Sequence, residues 1–269
     1  NHIYDCKMSG LKATINLLDK LGIQHTGAGW LPEQIEPTII EHNQQKIVFL
    51  AYVDQCTNPK TEIFPELYIN YFTKEKAIAD IKKAKSLGDK IIVSIHWGED
   101  YSHYQTPGQV KTAHDLIDAG VDIIMGHHSH TLQPYEKYEE SYIFYSLGGL
   151  TFGDYIKADK ENPQSLFRKT KKGVIARYDL LSDTFNFIST QELKGNYIKT
   201  IKRDFEAWNK QKWRVFNLRS KYQFVDKWIT LKEKILDRVI EYFFGYYQNP
   251  IKRLFQFSNL KKIKRLYKS

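Results

Sequence analysis

Cysteine is nearly absent from this 269-residue chain: Cys6 and Cys56 are the only two. Neither their number nor their spacing makes a zinc cluster or a disulfide framework, so two free or buried thiols in a reducing compartment are expected. Methionine is as scarce, and the chain opens on Asn1-His2 rather than on an initiator. It is therefore expected to start inside a motif whose upstream half is missing. No run of about eighteen apolar residues occurs, so no membrane-crossing helix is expected. No signal peptide is visible either, which leaves the location open between cytoplasmic and membrane-associated.

Charge is present in abundance and unevenly placed. The net charge is +9, yet from residue 199 onward nineteen Lys/Arg face six Asp/Glu, leaving the first 198 residues at −4. Residues 204 to 245 contain no proline and one glycine, Gly245, with Phe205, Trp208, Trp213, Phe216, Tyr222, Phe224 and Trp228 set among lysines and arginines. That composition reads as one or two amphipathic helices with basic faces. The chain accordingly divides into a body, 1–195, and a basic, aromatic-rich helical extension, 196–269. The 200–269 tail suits a structural cap, contact with an anionic membrane surface, or an acidic polymer. Nucleic acid is disfavoured, because no recognised binding motif accompanies the charge.

The body alternates helices with buried strands. Gly10 to Leu21 reads as a helix with Ser9 as N-cap, and Ile23 to Gly29 as a short strand. Ile47 to Val53 is a buried strand by its β-branched and aromatic content. A helix over Thr73 to Leu87, a strand over Lys90 to Ile95, a helix over Gly108 to Ala119 and a strand over Val121 to Met125 follow. Tyr142 to Tyr145 is a further strand, and Val174 to Leu180 with Thr184 to Thr190 makes a hairpin. This is the signature of an α/β core with mixed sheets and helices on the outer faces.

The most informative stretch runs from Ile91 to Asp154: IIVSIHWGEDY, VDIIMGHHSHTLQPYE, then YIFYSLGGLTFGD. His96 ends one apolar run, and His127, His128 and His130 end the next. Imidazoles placed directly after buried strands converge at one sheet edge, the geometry that metal-centred hydrolysis uses. On an extended segment an H-x-H pair points both rings the same way, so His128 and His130 are expected to share a centre with His96. His127 is expected to face elsewhere, as a supporting or substrate-facing residue. Glu99 and Asp100 follow His96 closely enough to orient an imidazole, and Tyr101 stands beside them. Imidazole donors suit zinc, manganese, iron or cobalt alike.

The run HWGEDY…P…Q…LIDAGVDIIMGHHSHTLQPYE…YSLGG resembles the CapA family of capsule and poly-γ-glutamate synthesis, within the calcineurin-like metallophosphatase superfamily. The opening NHIYDCKMSGLKATINLLDKLGIQHTGAG resembles that family's Asn-His block. The resemblance covers roughly residues 1 to 155. It implies that Asn1 ligates metal and that the adjacent His2 contacts phosphate and acts as general acid. It further implies that His96, His128 and His130 are metal ligands and that Gln109 is the family's downstream glutamine. Asp100 and Tyr101 stand where the family has Glu-Tyr.

Several family features are missing or altered. The upstream Gly-Asp and Asn-Leu-Glu motifs are absent, Gly149 replaces an asparagine, and Cys6 stands in an aromatic position. The implied fold is a metallophosphatase-like β-sandwich flanked by helices and lacking its first strand or strands. An open edge is expected beside Ile47 to Val53 or Ile91 to Ile95. The implied cofactors are divalent metal ions, two in a full-length protein and held poorly or not at all by a fragment without the bridging carboxylate.

The function implied is a part in bacterial capsule or surface-polymer synthesis, with metal-dependent phosphoester hydrolysis on an anionic polymer or phosphorylated substrate. The alternative is a non-catalytic scaffold or assembly subunit of a polymer-synthesis complex.

Overall fold

The computed structural model describes residues 6–55, 57, 67–151, 154–155, 164–165, 171–193, 197–221, 228 and 231. The chain separates into two compact units, Asn1–Leu147 and Gly148–Ser269. The compositional boundary near residue 195 marks a change of charge and lies inside the second unit.

The first unit opens with α1 (Lys7–Lys20), β1 (Ala28–Gly29), a 3-10 turn at Pro32–Ile35, β2 (Thr38–His42), β3 (Gln45–Val53) and β4 (Tyr68–Ile69). It continues with α2 (Lys74–Ala84), β5 (Lys90–His96), α3 (Pro107–Ala119), β6 (Ile123–His127), β7 (Tyr135–Tyr138) and β8 (Ser141–Phe144). One six-stranded mixed sheet forms the centre, in the order β2-β3-β5-β6-β8-β7. Strands β3, β5, β6 and β8 run parallel, while β2 and β7 close the two edges as antiparallel hairpin legs. The fold class is the expected one, α/β.

Val48, Leu50, Val93, Ile95, Ile124 and Ile143 are buried in this sheet, as β-branched runs covered on both faces should be. The β3–α2–β5 and β5–α3–β6 crossovers step the same way along the sheet. Right-handed connections then put both helices on one face, and α2 and α3 do contact each other. Thr73 caps α2 by accepting a hydrogen bond from the Lys76 amide at 3.2 Å. Thr106 and Gln109 form a reciprocal capping box on α3, with Pro107 at its first position.

Several boundaries differ from the sequence expectation. Helix α1 starts at Lys7 after Cys6, so Ser9 lies inside it, its hydroxyl donating to the Cys6 carbonyl at 3.3 Å. Only Ala28 and Gly29 of the 23–29 segment pair as strand. Ile91–Ile95 has a strand on each side, whereas beside Ile47–Val53 the β2 ladder reaches only Phe49 and, among the described residues, Leu50–Tyr52 have no strand partner on that side before the single Val53–Tyr71 bridge. Cys6 is a free, exposed thiol; Cys56 lies outside the described residues.

The second unit holds β9 (Asp154–Tyr155) paired with β10 (Gln164–Ser165). A three-stranded antiparallel sheet follows, β11 (Lys172–Asp179), β12 (Thr184–Glu192) and β13 (Ile198–Thr200), and then helix α4 (Phe205–Lys221). The β11–β12 hairpin matches the expectation for Val174–Thr190. Asp204 caps α4 through the Ala207 amide at 2.9 Å. Phe205 meets Phe187 of β12 with ring centres 4.8 Å apart. Most of the expected 204–245 helical stretch beyond Lys221 lies outside the described residues. No described helix is long and apolar enough to cross a membrane.

Candidate metal centre

Strands β5 and β6 end together, with His96 opposite His127 in the parallel register. The carboxyl ends of parallel strands are where open α/β sheets carry their ligands. Just past β6, His128 turns back so that its Nδ1 lies 3.0 Å from Nε2 of His96. The two rings meet edge to face, 4.7 Å between centres. Which nitrogen carries a proton is set by the tautomer. The other nitrogen of His128, Nε2, faces Asp100 Oδ1 at 3.5 Å.

His130 stands one step further out, its ring 6.4 Å from that of His128 and 5.9 Å from Tyr101. Glu99 is exposed and engages the chain through its carbonyl, which accepts from the Ser102 amide at 3.4 Å.

His127 does not join the pair. Its Nε2 lies 3.2 Å from the Ser94 hydroxyl, two residues back on β5. One edge of the residue is exposed, but protein packed around the ring desolvates the cation and lowers its pKa.

The backbone that carries His128 and His130 differs from the expectation. The segment is not extended. His128 has φ 103° and His130 φ 53°, and Tyr101 opposite has φ 58°. Left-handed backbone at three non-glycine residues around one site is costly, and it persists only where the surroundings hold it. A strand-like alternation of side chains therefore has no bearing on where these imidazoles point.

Those surroundings are a polar clamp that sequence reasoning passed over. Ser129, Thr131 and Gln133 are buried. The Ser129 carbonyl accepts from the Tyr101 amide at 2.8 Å. The Thr131 hydroxyl donates to the Ser102 carbonyl. Gln133 donates from Nε2 to the carbonyls of Ser102 at 3.0 Å and Tyr104 at 3.1 Å. The segment after β6 thus pins the 99–105 loop that carries Asp100 and Tyr101. A polar run after an apolar strand reads as exposed loop, and nothing in its composition marks it as buried.

Two glycines are fixed by close approach. Gly98 has φ 92°, and a Cβ there would lie 2.6 Å from the Gln109 side-chain nitrogen. Gln109 therefore packs against the turn after His96 while it caps α3. At Gly126 a Cβ would meet the Tyr145 carbonyl oxygen at 2.2 Å and the Trp97 indole nitrogen at 2.5 Å. Trp97 itself is buried, and its indole N–H donates to the Tyr145 carbonyl at 3.3 Å. It is a wall of the core.

Behind that wall, the Tyr145 hydroxyl donates to Glu136 Oε2 at 2.8 Å, and Glu136 Oε1 faces His114 Nε2 at 3.1 Å. Burial, with the neighbouring Glu136 charge, pushes the Tyr145 phenol well above its ordinary pKa. His114, which reads as an ordinary surface histidine in sequence, is half-buried and stacks on Tyr138 at 3.8 Å.

Asn1 and His2 lie outside the described residues. Among the described residues, no group of three or more His, Cys, Asp or Glu gathers closely enough to hold a metal ion alone. The nitrogens of His96 and His128 nevertheless fit two adjacent positions of one coordination shell. Two donors each about 2.1 Å from a shared ion stand roughly 3.0–3.4 Å apart at octahedral to tetrahedral angles.

Comparison with known proteins matches residues 1–154 to the family described as bacterial capsule synthesis protein PGA_cap. The capsule biosynthesis protein CapA of Bacillus anthracis is 31% identical over 162 residues, 56% of this chain and 38% of its own length. The PGA biosynthesis protein CapA of Bacillus subtilis is 27% identical over 228 residues, 80% of this chain and 57% of its own. A probable polyglutamine synthesis accessory protein of Mycobacterium tuberculosis is 32% identical over 160 residues, 55% of this chain and 42% of its own. The chain thus spans 38% to 57% of these relatives' lengths.

Among solved structures, the NAD nucleotidase of Haemophilus influenzae superposes with a TM-score of 0.41 at 13% identity, covering 88% of this chain and 50% of its own. That likeness is too distant to carry an argument. The family match takes in every element from α1 to β8, with the histidine pair inside it. The chain belongs to the bacterial capsule synthesis protein PGA_cap family.

Proposed function

We propose that this chain serves the synthesis of a bacterial capsule or related surface polymer, and that its first unit carries a divalent-metal centre acting on a phosphoester or similar bond. The contact between His96 Nε2 and His128 Nδ1 at 3.0 Å, at the carboxyl ends of β5 and β6, is the observation that carries the second half. The relatives' descriptions, capsule biosynthesis and PGA biosynthesis, support the first.

In this reading His96, His128 and His130 hold metal together with Asn1, and Asp100 orients His128 through its outer nitrogen. His2 stabilises developing charge or gives a proton to the leaving group. Bound there, manganese, zinc or iron would supply Lewis acidity and a water of lowered pKa. Tyr101 and His130 line the approach, and the clamp of Ser129, Thr131 and Gln133 fixes the loop against them.

A second reading, a non-catalytic assembly subunit, draws support from the exposed cations of α4 and works without the histidine pair. Elemental analysis after loading with manganese, zinc or iron separates the two. The metal-centre reading expects bound metal in the parent chain, retention in His127→Ala, and loss in both His96→Ala and His128→Ala. Equal metal content in all four proteins would overturn it.

A further inference from the structure

A hollow lies beside β3 where its β2 neighbour gives out. Pro37 has no amide hydrogen to give to a ladder, and the β2–β3 pairing, followed toward it, stops at Thr38 opposite Phe49. The next residue of β3, Leu50, is 2% exposed. It shares a face with Tyr52 two residues on, and the Tyr52 hydroxyl reaches Asp80 of α2 at 3.0 Å. Between the departing Ile35–Pro37 segment, Leu50 and α2 there remains a cavity of about 230 Å³. It shares no lining residue with the histidine site.

The lining decides what such a hollow fits. Leu50, Ile35, Pro37 and Leu87 make an apolar surface, and the charged groups are two acids, Glu36 and Asp80, with two lysines, Lys76 and Lys83. One pair is already closed. Lys76 Nζ donates to Asp80 Oδ2 at 2.5 Å and lies 5.5 Å over the Tyr52 ring. The other is open: among the described residues, neither Glu36 nor Lys83 has an ion-pair partner. Both are exposed, where an unpaired charge is ordinary. What sets these two apart is that they stand on different walls of one apolar hollow, Glu36 ahead of β2 and Lys83 on α2.

The four charges sum to zero, so the cavity exerts no net pull on a polyanion. A metal ion or small inorganic anion would leave the apolar surface in water, and a plain hydrocarbon would leave Glu36 and Lys83 unused. A ligand with one ammonium, one carboxylate and a short apolar body engages all three parts. The volume, below the about 300–1,000 Å³ of pockets for drug-sized molecules, suits a ligand that small. We propose that this cavity binds a free zwitterion, an α-amino acid with a short branched apolar side chain, its ammonium at Glu36, its carboxylate at Lys83 and its side chain on Leu50. The inference stands apart from the metal centre. Loss of metal in the His96 or His128 variants would leave it intact, and loss of the zwitterion site would leave metal intact.

The test is calorimetric titration of the full chain with L-leucine. Saturable binding is expected. Isovalerate and isopentylamine, which each keep one of the two charges, should bind about tenfold or more weakly. L-glutamate should be weaker too, because its second carboxylate would be pressed onto an apolar surface. Glu36→Gln and Lys83→Gln, both at exposed positions, should each weaken L-leucine about tenfold. Lys82→Gln, the next residue on α2 but outside the cavity, should bind like the parent, and melting temperature controls for folding in each. The proposal is overturned if L-leucine shows no saturable binding, or if a one-charge analogue or L-glutamate binds as tightly. It is overturned equally if Glu36→Gln and Lys83→Gln bind like the parent, or if Lys82→Gln weakens binding as much as they do.

Discussion

Trp97 and Gly126 sit so close that the indole nitrogen of one lies 2.5 Å from where a Cβ of the other would stand. The neighbour on the other side is the Tyr145 backbone oxygen, which cannot swing away. Gly126→Ala should therefore act at the upper end of overpacking, about 3 kcal/mol of lost stability, read as a shift of the denaturant midpoint. A loss below about 1 kcal/mol would mean that β6 and β8 part easily at this point.

Gln133 is expected to act on a loop it does not belong to. In Gln133→Leu the carbonyls of Ser102 and Tyr104 each keep one hydroxyl partner, from Thr131 and Ser102 respectively. The cost should accordingly be modest, about 1–3 kcal/mol in all. The informative readout is hydrogen exchange: amides of residues 99–105 should exchange faster while those of β5 and β6 stay protected. Uniform loss of protection would show that Gln133 supports the sheet and not the loop.

Alkaline pH should find two buried phenols. Tyr52 donates to Asp80 at 3.0 Å and Tyr145 to Glu136 at 2.8 Å. Burial, then the neighbouring carboxylate, raises both pKa values from an ordinary 10.0. The folded chain thus holds these protons more tightly than the unfolded chain. Their contribution is complete below pH 10 and is lost as pH climbs above it. Between about pH 9.5 and 11.5 the parent's melting temperature should fall more steeply than that of Tyr52→Phe with Tyr145→Phe. Parallel profiles would refute the shift.

Asp100 and Glu99 separate cleanly by mutation. If Asp100 orients His128 through the 3.5 Å contact, Asp100→Asn should weaken metal binding about 10–100-fold, as loss of such outer partners does. Glu99→Gln, in the exposed loop, should stay near the parent value. Calorimetric titration with manganese or zinc reads both, and equal effects from the two would remove Asp100 from the centre.

Much of this was legible in the residues. Val48, Val93 and Ile124 lie in runs too apolar and too β-branched to be anything but buried strands, and Thr73 announces the helix it starts, whereas α3, read from Gly108, begins at Pro107 behind a Thr106 cap that the reading passed over. What the sequence hid was of two kinds. Edge pieces such as Thr38–His42 bury almost nothing, so their pattern is weak. Their turn uses Asn43 and Gln44, both at positive φ, without a glycine to flag it.

The candidate site was legible as a set of residues but not as a geometry. His96 and His128 meet because the backbone after β6 is forced left-handed by buried hydroxyls and an amide. No periodicity rule reports that kind of tertiary constraint.

The parallel centre of the sheet has a consequence for how the molecule assembles. Hairpins β2–β3 and β7–β8 join near neighbours in the chain, whereas Ile47 pairs with Lys90 and Ile92 with Ile123. Such distant closures come late and slowly compared with local ones. His96 and His128 approach only once β5 and β6 are zipped along their length. The imidazole pair is therefore a mark of completed folding: if it holds metal as proposed, a nascent or partly opened chain, however well its hairpins form, would have no place to capture an ion.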